Sequence, residues 1–99
     1  MNNEDKLFRE IAEVYLYNEL DNWEWTYKEL VDMMVGEFNT DGIEHLVGSI
    51  PINRQFDLFE KYLVQTIEDF VPLETVATDE MNDYMLDELE GSVRNTAFL

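Results

Sequence analysis

The residues of this chain whose chemistry stands out are carboxylates concentrated near its carboxyl end. Residues 78–90 read TDEMNDYMLDELE, with six acidic side chains and no basic one. We call these six the acidic stripe: Asp79, Glu80, Asp83, Asp87, Glu88 and Glu90. Like charges four residues apart destabilise a helix by about 0.2–0.5 kcal/mol per pair. Folding therefore does not explain this concentration of charge, and we consider it a candidate for function.

The spacing within the acidic stripe indicates a row of charge along one side of a helix. Steps of four, four and three residues connect Asp79, Asp83, Asp87 and Glu90. Each four-residue step rises about 6 Å along a helix, and phosphates on one DNA strand repeat about every 3.4 Å along the duplex axis. Such a row is within reach of a phosphate-binding groove. Glu68 and Asp69 extend the same negative field toward the preceding helix.

The charge of the whole chain favours a basic protein as the partner. Twenty-three acids stand against six bases, which gives a net charge of −17 and a pI near 4.1. Phosphate binding needs Lys and Arg to release counterions, so we expect neither nucleic acid nor an anionic membrane to be bound directly. A helix-turn-helix rhythm over residues 27–49 has no Arg or Lys in its second helix, which argues against DNA reading. Basic surfaces, in contrast, are attracted by electrostatic steering.

Metal binding is poorly supported by the sequence. Residues 37–48 resemble a calcium loop around Gly42, but the twelfth position is Gly48 where such a loop needs a bidentate Glu. We interpret this segment as an Asx-type turn between helices. His45 is the only histidine and the chain has no cysteine, so transition-metal ligands are few. We predict no metal and no cofactor.

Enzyme chemistry is equally unsupported. The two serines, Ser49 and Ser92, lie outside any nucleophile-elbow motif, and no Gly-rich phosphate loop is present. Carboxylate pairs are so abundant that they do not indicate a glycosidase. We predict that the protein is not an enzyme and has no catalytic residues.

The location of the protein is predicted from what the sequence lacks. The absence of cysteine fits a reducing cytoplasm. The first residues, MNNEDKLFREI, carry acids where a signal peptide needs a basic region. No apolar stretch reaches the length of a membrane span. We expect a soluble cytoplasmic protein.

Apolar spacing predicts an all-α fold, a compact bundle of four to five short helices in a single domain over residues 1–99. The predicted helices cover residues 3–20, 27–37, 43–49, a segment that begins at Asn53 or Arg54 and stops at Val71-Pro72, and 78–90. Thr26 and Glu29 form a capping-box pattern. Thr78 is expected to cap the last helix and Gly91 to end it, which leaves residues 91–99 as a loose tail.

The last helix needs an apolar side to fold despite its charge repulsion. Its predicted apolar row is Met81, Tyr84, Met85 and Leu89, flanked by Leu86. Packing of such a row supplies most of the stability of a helix in a protein. We therefore expect Tyr84 to face the core and the acidic stripe to face solvent.

The aromatic residues near the end of the first helix are open to two interpretations. Trp23 and Trp25 alternate with polar residues ahead of Tyr27, so at least one ring is hard to bury. Exposed Trp is a preferred interface anchor. The alternative is that these rings, with Tyr15 and Tyr17, cover the core at a junction between helices.

In size and charge the chain resembles small acidic DNA-mimic inhibitors, such as phage-encoded antirestriction and anti-CRISPR proteins. The resemblance is one of physical type and transfers no site. It implies a protein that blocks the nucleic-acid groove of a basic partner, such as a host nuclease, CRISPR effector, polymerase or nucleoid protein. The alternative is an acidic helical structural or regulatory subunit that acts through a homodimer or another protein interface, with acids that only keep it soluble.

Overall fold

The computed structural model describes residues 3–20, 25–40 and 50–94, and these ranges form an all-α fold, as predicted. Four helices are present in them: α1 (Asn3–Glu19), α2 (Tyr27–Thr40), α3 (Ile52–Glu68) and α4 (Asp79–Arg94). The described ranges contain no β-strand, and one isolated antiparallel bridge pairs Thr26 with Val76. The short helix predicted over residues 43–49 lies outside the described residues.

Helix α3 lies at the centre of the bundle. It packs against α1 and α2, α1 also packs against α4, and the start of α2 contacts α4 through Tyr27 and Asn82. The buried side chains of α3 occupy more than one row along the helix: Gln55, Leu58, Phe59, Tyr62, Leu63, Thr66 and Ile67. A helix with neighbours on two sides buries a wider surface than one with a single neighbour. The strongest amphipathic pattern in the sequence therefore marks the middle of the fold.

An aromatic cluster holds α1, α2 and α3 together. It consists of Phe8, Tyr15, Phe38, Phe56 and Phe59. The Phe38 and Phe59 rings stack with centroids 4.3 Å apart, and Tyr15 meets Phe59 edge-on at 5.0 Å. Because Phe38 belongs to this cluster, α2 continues past its predicted end near Glu37. Such ring pairs add about 0.5–1.5 kcal/mol each beyond the area they bury.

The start of α2 is fixed by a capping box and by the segment that precedes α4. The Glu29 amide donates to Thr26 Oγ1 and the Thr26 amide donates to Glu29 Oε1, each at 3.3 Å, which confirms the predicted motif. The amide of Tyr27 donates to the carbonyl of Thr75 at 3.1 Å, and the amide of Lys28 donates to the carbonyl of Leu73 at 2.9 Å. The amides at a helix start lack partners within the helix. Here the chain between α3 and α4 supplies them.

Helix α4 does not end where the sequence predicted. Gly91 was expected to terminate it, but the helix continues through Gly91 to Arg94. Val93 is buried in the core, and Arg94 forms an ion pair with Glu90 one turn earlier. Packing and this i,i+4 pair support a further turn. The tail predicted to be loose therefore begins with helix, and its last residues, 95–99, lie outside the described residues.

Candidate functional site

The acidic stripe lies together on the outer side of α4. The hydroxyl of Thr78 accepts a hydrogen bond from the Met81 amide at 3.2 Å, so the helix begins at its predicted cap. Five members of the stripe are exposed and the sixth, Glu90, is half-buried. The opposite side packs on the core through the buried residues Asn82, Met85, Leu89 and Val93. The structure thus brings the predicted carboxylates onto one surface, while their role in binding stays a prediction.

Two of the predicted partner-binding acids already have a cation. Glu90 Oε1 accepts a hydrogen bond from Arg94 at 2.6 Å, and Asp69 Oδ2 accepts one from Arg9 at 2.7 Å. Arg9 also bonds to Glu13 at 3.0 Å. Burial by itself would lower the pKa of Arg9, but the bonds to Asp69 and Glu13 raise that pKa above its usual value. Part of the charge of Glu90 and Asp69 is therefore offset within the protein.

The other predicted acids have no such compensation among the described residues. The third arginine with an ion pair, Arg54, bonds to Glu4 at the start of α1. No cation that the structure describes forms an ion pair with Glu68 or with the five exposed members of the stripe. We call those five the open carboxylates: Asp79, Glu80, Asp83, Asp87 and Glu88. They carry the concentrated negative charge of this surface.

Tyr84 lies among the open carboxylates and not in the core, so the predicted apolar row is wrong at this position. Its side chain is 54% exposed. Residues three and four apart are neighbours on a helix surface, so Glu80, Asp87 and Glu88 lie next to it, and the half-buried Met81 is its neighbour on the core side. The ring of Phe70 lies perpendicular to it at a centroid distance of 6.0 Å and supports it from the end of α3. The surface of α4 is thus aromatic at its centre and acidic around it.

Asn82 takes the buried position that was expected for Tyr84. It is 3% exposed, and the Tyr27 hydroxyl donates to Asn82 Oδ1 at 2.6 Å. Burial raises the pKa of Tyr27 above its ordinary value, which keeps the hydroxyl protonated as a donor. This bond fixes how α4 is rotated on the bundle. The sequence signal for this rotation is the spacing of residues 82, 85, 89 and 93, which is as helical as that of the predicted apolar row.

The aromatic residues after α1 divide between the two interpretations. Tyr27 is fully buried and Tyr15 and Tyr17 pack against the core, whereas Trp25 is 49% exposed. Trp25 lies beside Val76, which is 55% exposed, because the Trp25 carbonyl accepts a hydrogen bond from the Ala77 amide at 2.7 Å. Both are exposed apolar side chains close to the start of α4. Trp23 lies outside the described residues.

A depression on the described surface of α3 does not form an enclosed ligand site. An open depression of about 440 Å³ on α3 is lined by Asp57, Glu60, Lys61, Val64 and Gln65. All five lining residues belong to one helix, so no other described element closes the depression around a ligand. Within the described ranges, no three His, Asp or Glu side chains are grouped to hold a metal ion, and no helix has the length and apolarity needed to cross a membrane. The predicted calcium-like segment and His45 fall largely or wholly outside those ranges.

Comparisons with models of known protein families, with curated proteins and with solved structures found no match to this chain. No family assignment therefore constrains the function of the α4 surface.

Proposed function

We propose that this protein binds the nucleic-acid groove of a basic partner protein through the outer side of α4, with carboxylates standing in for phosphates. The observation that carries the proposal is the set of open carboxylates. Among the described residues, these five acids without an ion pair are concentrated on one helix, whereas Arg9, Arg54 and Arg94 pair with Glu13, Asp69, Glu4 and Glu90. The strongest uncompensated charge thus coincides with a helix face that the core does not use.

The geometry of α4 suits this role. Asp79, Asp83 and Asp87 lie about 6 Å apart along one row, and Glu80 and Glu88 lie about 12 Å apart in the neighbouring row, on either side of Tyr84. They are fixed to a helix, so a partner does not have to order a flexible chain when it binds. A surface of this sign also speeds the encounter with a basic groove.

Occupation of the groove would make the protein a competitive inhibitor of nucleic-acid binding. A nuclease, a CRISPR effector, a polymerase and a nucleoid protein are all partners with such a groove, and a phage-type inhibitor is the form that we favour. Binding through exposed charges should weaken steeply as salt rises, because ions screen them. Duplex DNA should displace the protein from the groove.

A pair of charge-matched variants tests the proposal. Asp83→Lys with Asp87→Lys reverses two open carboxylates, and Asp57→Lys with Glu60→Lys makes the same change of net charge on exposed residues of α3. Immobilised proteins are incubated with cell extract at low and at high salt, and the bound proteins are identified before and after duplex DNA is added. We expect the wild type and the α3 variant to retain nucleic-acid-binding proteins at low salt and to release them to DNA, and the α4 variant to retain none.

Two outcomes would contradict the proposal. One is capture that survives reversal of Asp83 and Asp87. The other is capture that duplex DNA does not reduce, because the bound surface of the partner is then not its nucleic-acid groove.

A second candidate, a homodimer, is supported by the exposed apolar side chains of Trp25 and Val76. Burial of exposed apolar side chains between two copies would stabilise such a dimer. Sedimentation at low and high salt separates the candidates. A dimer that persists at both salt concentrations and binds no basic protein favours self-association. Trp25→Ser is expected to dissociate such a dimer.

A further inference from the structure

Tyr84 gives the α4 surface a feature that charge alone does not provide. A half-exposed aromatic ring attracts a planar cation to its free face, because that face is electronegative. The ring is also supported, since Phe70 contacts it at 6.0 Å and is itself packed against the core. A partner group that stacks on Tyr84 therefore meets a surface that is already in position.

The cation for this ring must come from outside the described part of the chain. Lys61 Nζ lies 5.2 Å from the centre of the Tyr62 ring, and no described cation lies over Tyr84. The nearest basic residue along α4 is Arg94, about 15 Å further along the helix axis and already paired with Glu90. The ring and the neighbouring carboxylates thus offer an aromatic face and hydrogen-bond acceptors to a cation of a partner.

Arginine fits this set of contacts better than lysine. A guanidinium group is planar, stacks on aromatic rings, is more weakly hydrated than an ammonium group and donates two parallel hydrogen bonds to a carboxylate. Glu80, Asp87 and Glu88 are the neighbours of Tyr84 on the helix surface and are all exposed. One guanidinium can stack on the ring and still donate to one of these carboxylates at its edge.

We infer that Tyr84 makes the outer side of α4 selective for arginine over lysine, so that the partner surface docks an arginine side chain on this ring. The inference rests on the proposed binding of a basic partner and adds the chemistry of the side chain that is recognised. It also assigns Tyr84 as a specificity-determining residue of the surface.

The test is a cycle of two peptides and three proteins. Two synthetic peptides of the same length carry only arginine or only lysine at their basic positions, and each is titrated by fluorescence anisotropy at low salt. The proteins are the wild type, Tyr84→Leu, which removes the ring, and Tyr84→Phe, which keeps the ring and removes the hydroxyl. Thermal unfolding followed by circular dichroism checks that all three are folded.

We expect the wild type and Tyr84→Phe to prefer the arginine peptide, and Tyr84→Leu to lose about 2- to 5-fold of that preference with its affinity for the lysine peptide unchanged. Equal preference in the wild type and Tyr84→Leu overturns the inference but leaves the proposed function intact. Loss of the preference in Tyr84→Phe, or binding of neither peptide, also overturns it. An arginine preference that depends on the ring supports the inference. Failure of duplex DNA to displace the extract proteins captured by the wild type contradicts only the proposed function.

Discussion

The aromatic cluster between α1, α2 and α3 and the outer side of α4 use aromatic rings in opposite ways. In the cluster, Phe8, Phe38 and Phe59 are at most 1% exposed and contact one another or Tyr15. On α4, the ring of Tyr84 is half exposed and carboxylates lie next to it. The cluster holds three helices together, whereas the outer side of α4 contributes little to holding α4 in place. The difference suggests that stability and surface charge reside in separate parts of this small protein.

The way in which α4 attaches to the bundle explains this separation. Met85, Leu89 and Val93 bury one apolar row, and the bond from Tyr27 to Asn82 fixes the rotation of the helix. None of these groups belongs to the acidic stripe. Substitutions on the two sides of α4 should therefore have effects of different kinds.

The largest expected effect comes from the aromatic cluster. Phe59→Ala should lower the free energy of unfolding by about 3–5 kcal/mol, because it removes a fully buried ring that contacts Tyr15 and Phe38 and leaves a cavity. Urea unfolding followed by circular dichroism measures the change. The matched measurement is Tyr84→Leu, which removes an exposed ring and should shift the urea midpoint far less. Equal losses for the two variants would contradict the separation of stability from the α4 surface.

A smaller effect is expected at the contact between α2 and α4. Tyr27→Phe removes the hydroxyl that donates to Asn82 Oδ1 at 2.6 Å and leaves a buried amide oxygen without this donor. Loss of one partner of a buried hydrogen bond costs about 1–3 kcal/mol. Tyr84→Phe is the control, since it removes a hydroxyl from an exposed tyrosine of the same helix pair and should leave the urea midpoint unchanged.

The same contact predicts a loss of stability at alkaline pH. Burial raises the pKa of Tyr27 above the ordinary value of 10.0, and it likewise raises that of Tyr62, with a further contribution from Asp5. In the unfolded chain both hydroxyls lose their protons near pH 10, whereas the folded protein holds them to higher pH. Stability from this source is therefore complete below about pH 10 and is lost as the pH rises through the folded-state pKa values. Urea midpoints measured from neutral to alkaline pH should fall less steeply in Tyr27→Phe; parallel curves would contradict the assignment to Tyr27.

Local signals in the sequence predicted the helices and their starts, because the groups that form them are neighbours in the chain. The capping box of Thr26 and Glu29 and the cap at Thr78 need only residues three positions away. Each is a short-range arrangement that the residue types alone favour. The all-α fold and the position of the acidic stripe on one surface could be predicted for the same reason.

The rotation of α4 could not be predicted from local signals. The rows 81, 84, 85, 89 and 82, 85, 89, 93 both have helical spacing, and the first is the more apolar. The second is the buried one, because Tyr27 bonds to Asn82 across 55 positions of the chain. The ion pair of Arg9 with Asp69 spans 60 positions, and no local sequence pattern predicted it either. Contacts of this length decided which ring was exposed and which carboxylates remained open.

The smallest expected effect has the opposite sign to the others. Asp83 has Asp79 and Asp87 four residues away on either side, so Asp83→Asn should raise the free energy of unfolding by about 0.2–0.5 kcal/mol for each repulsive pair removed. Asn and Asp have similar helix propensities, which isolates the charge. The gain should shrink as salt rises, because ions screen exposed charges.

The matched control for Asp83 is Asp57→Asn on α3. Asp57 is exposed like Asp83 but stands four residues before Lys61, an arrangement that favours the helix, so its neutralisation should lower stability slightly. Urea midpoints at low and high salt measure both variants. A gain at Asp83 beside a loss at Asp57 means that the outer side of α4 carries charge at the expense of stability, as expected of a surface kept for binding. A loss at both positions would instead mean that the open carboxylates stabilise the fold, and the comparison between the two regions would fail.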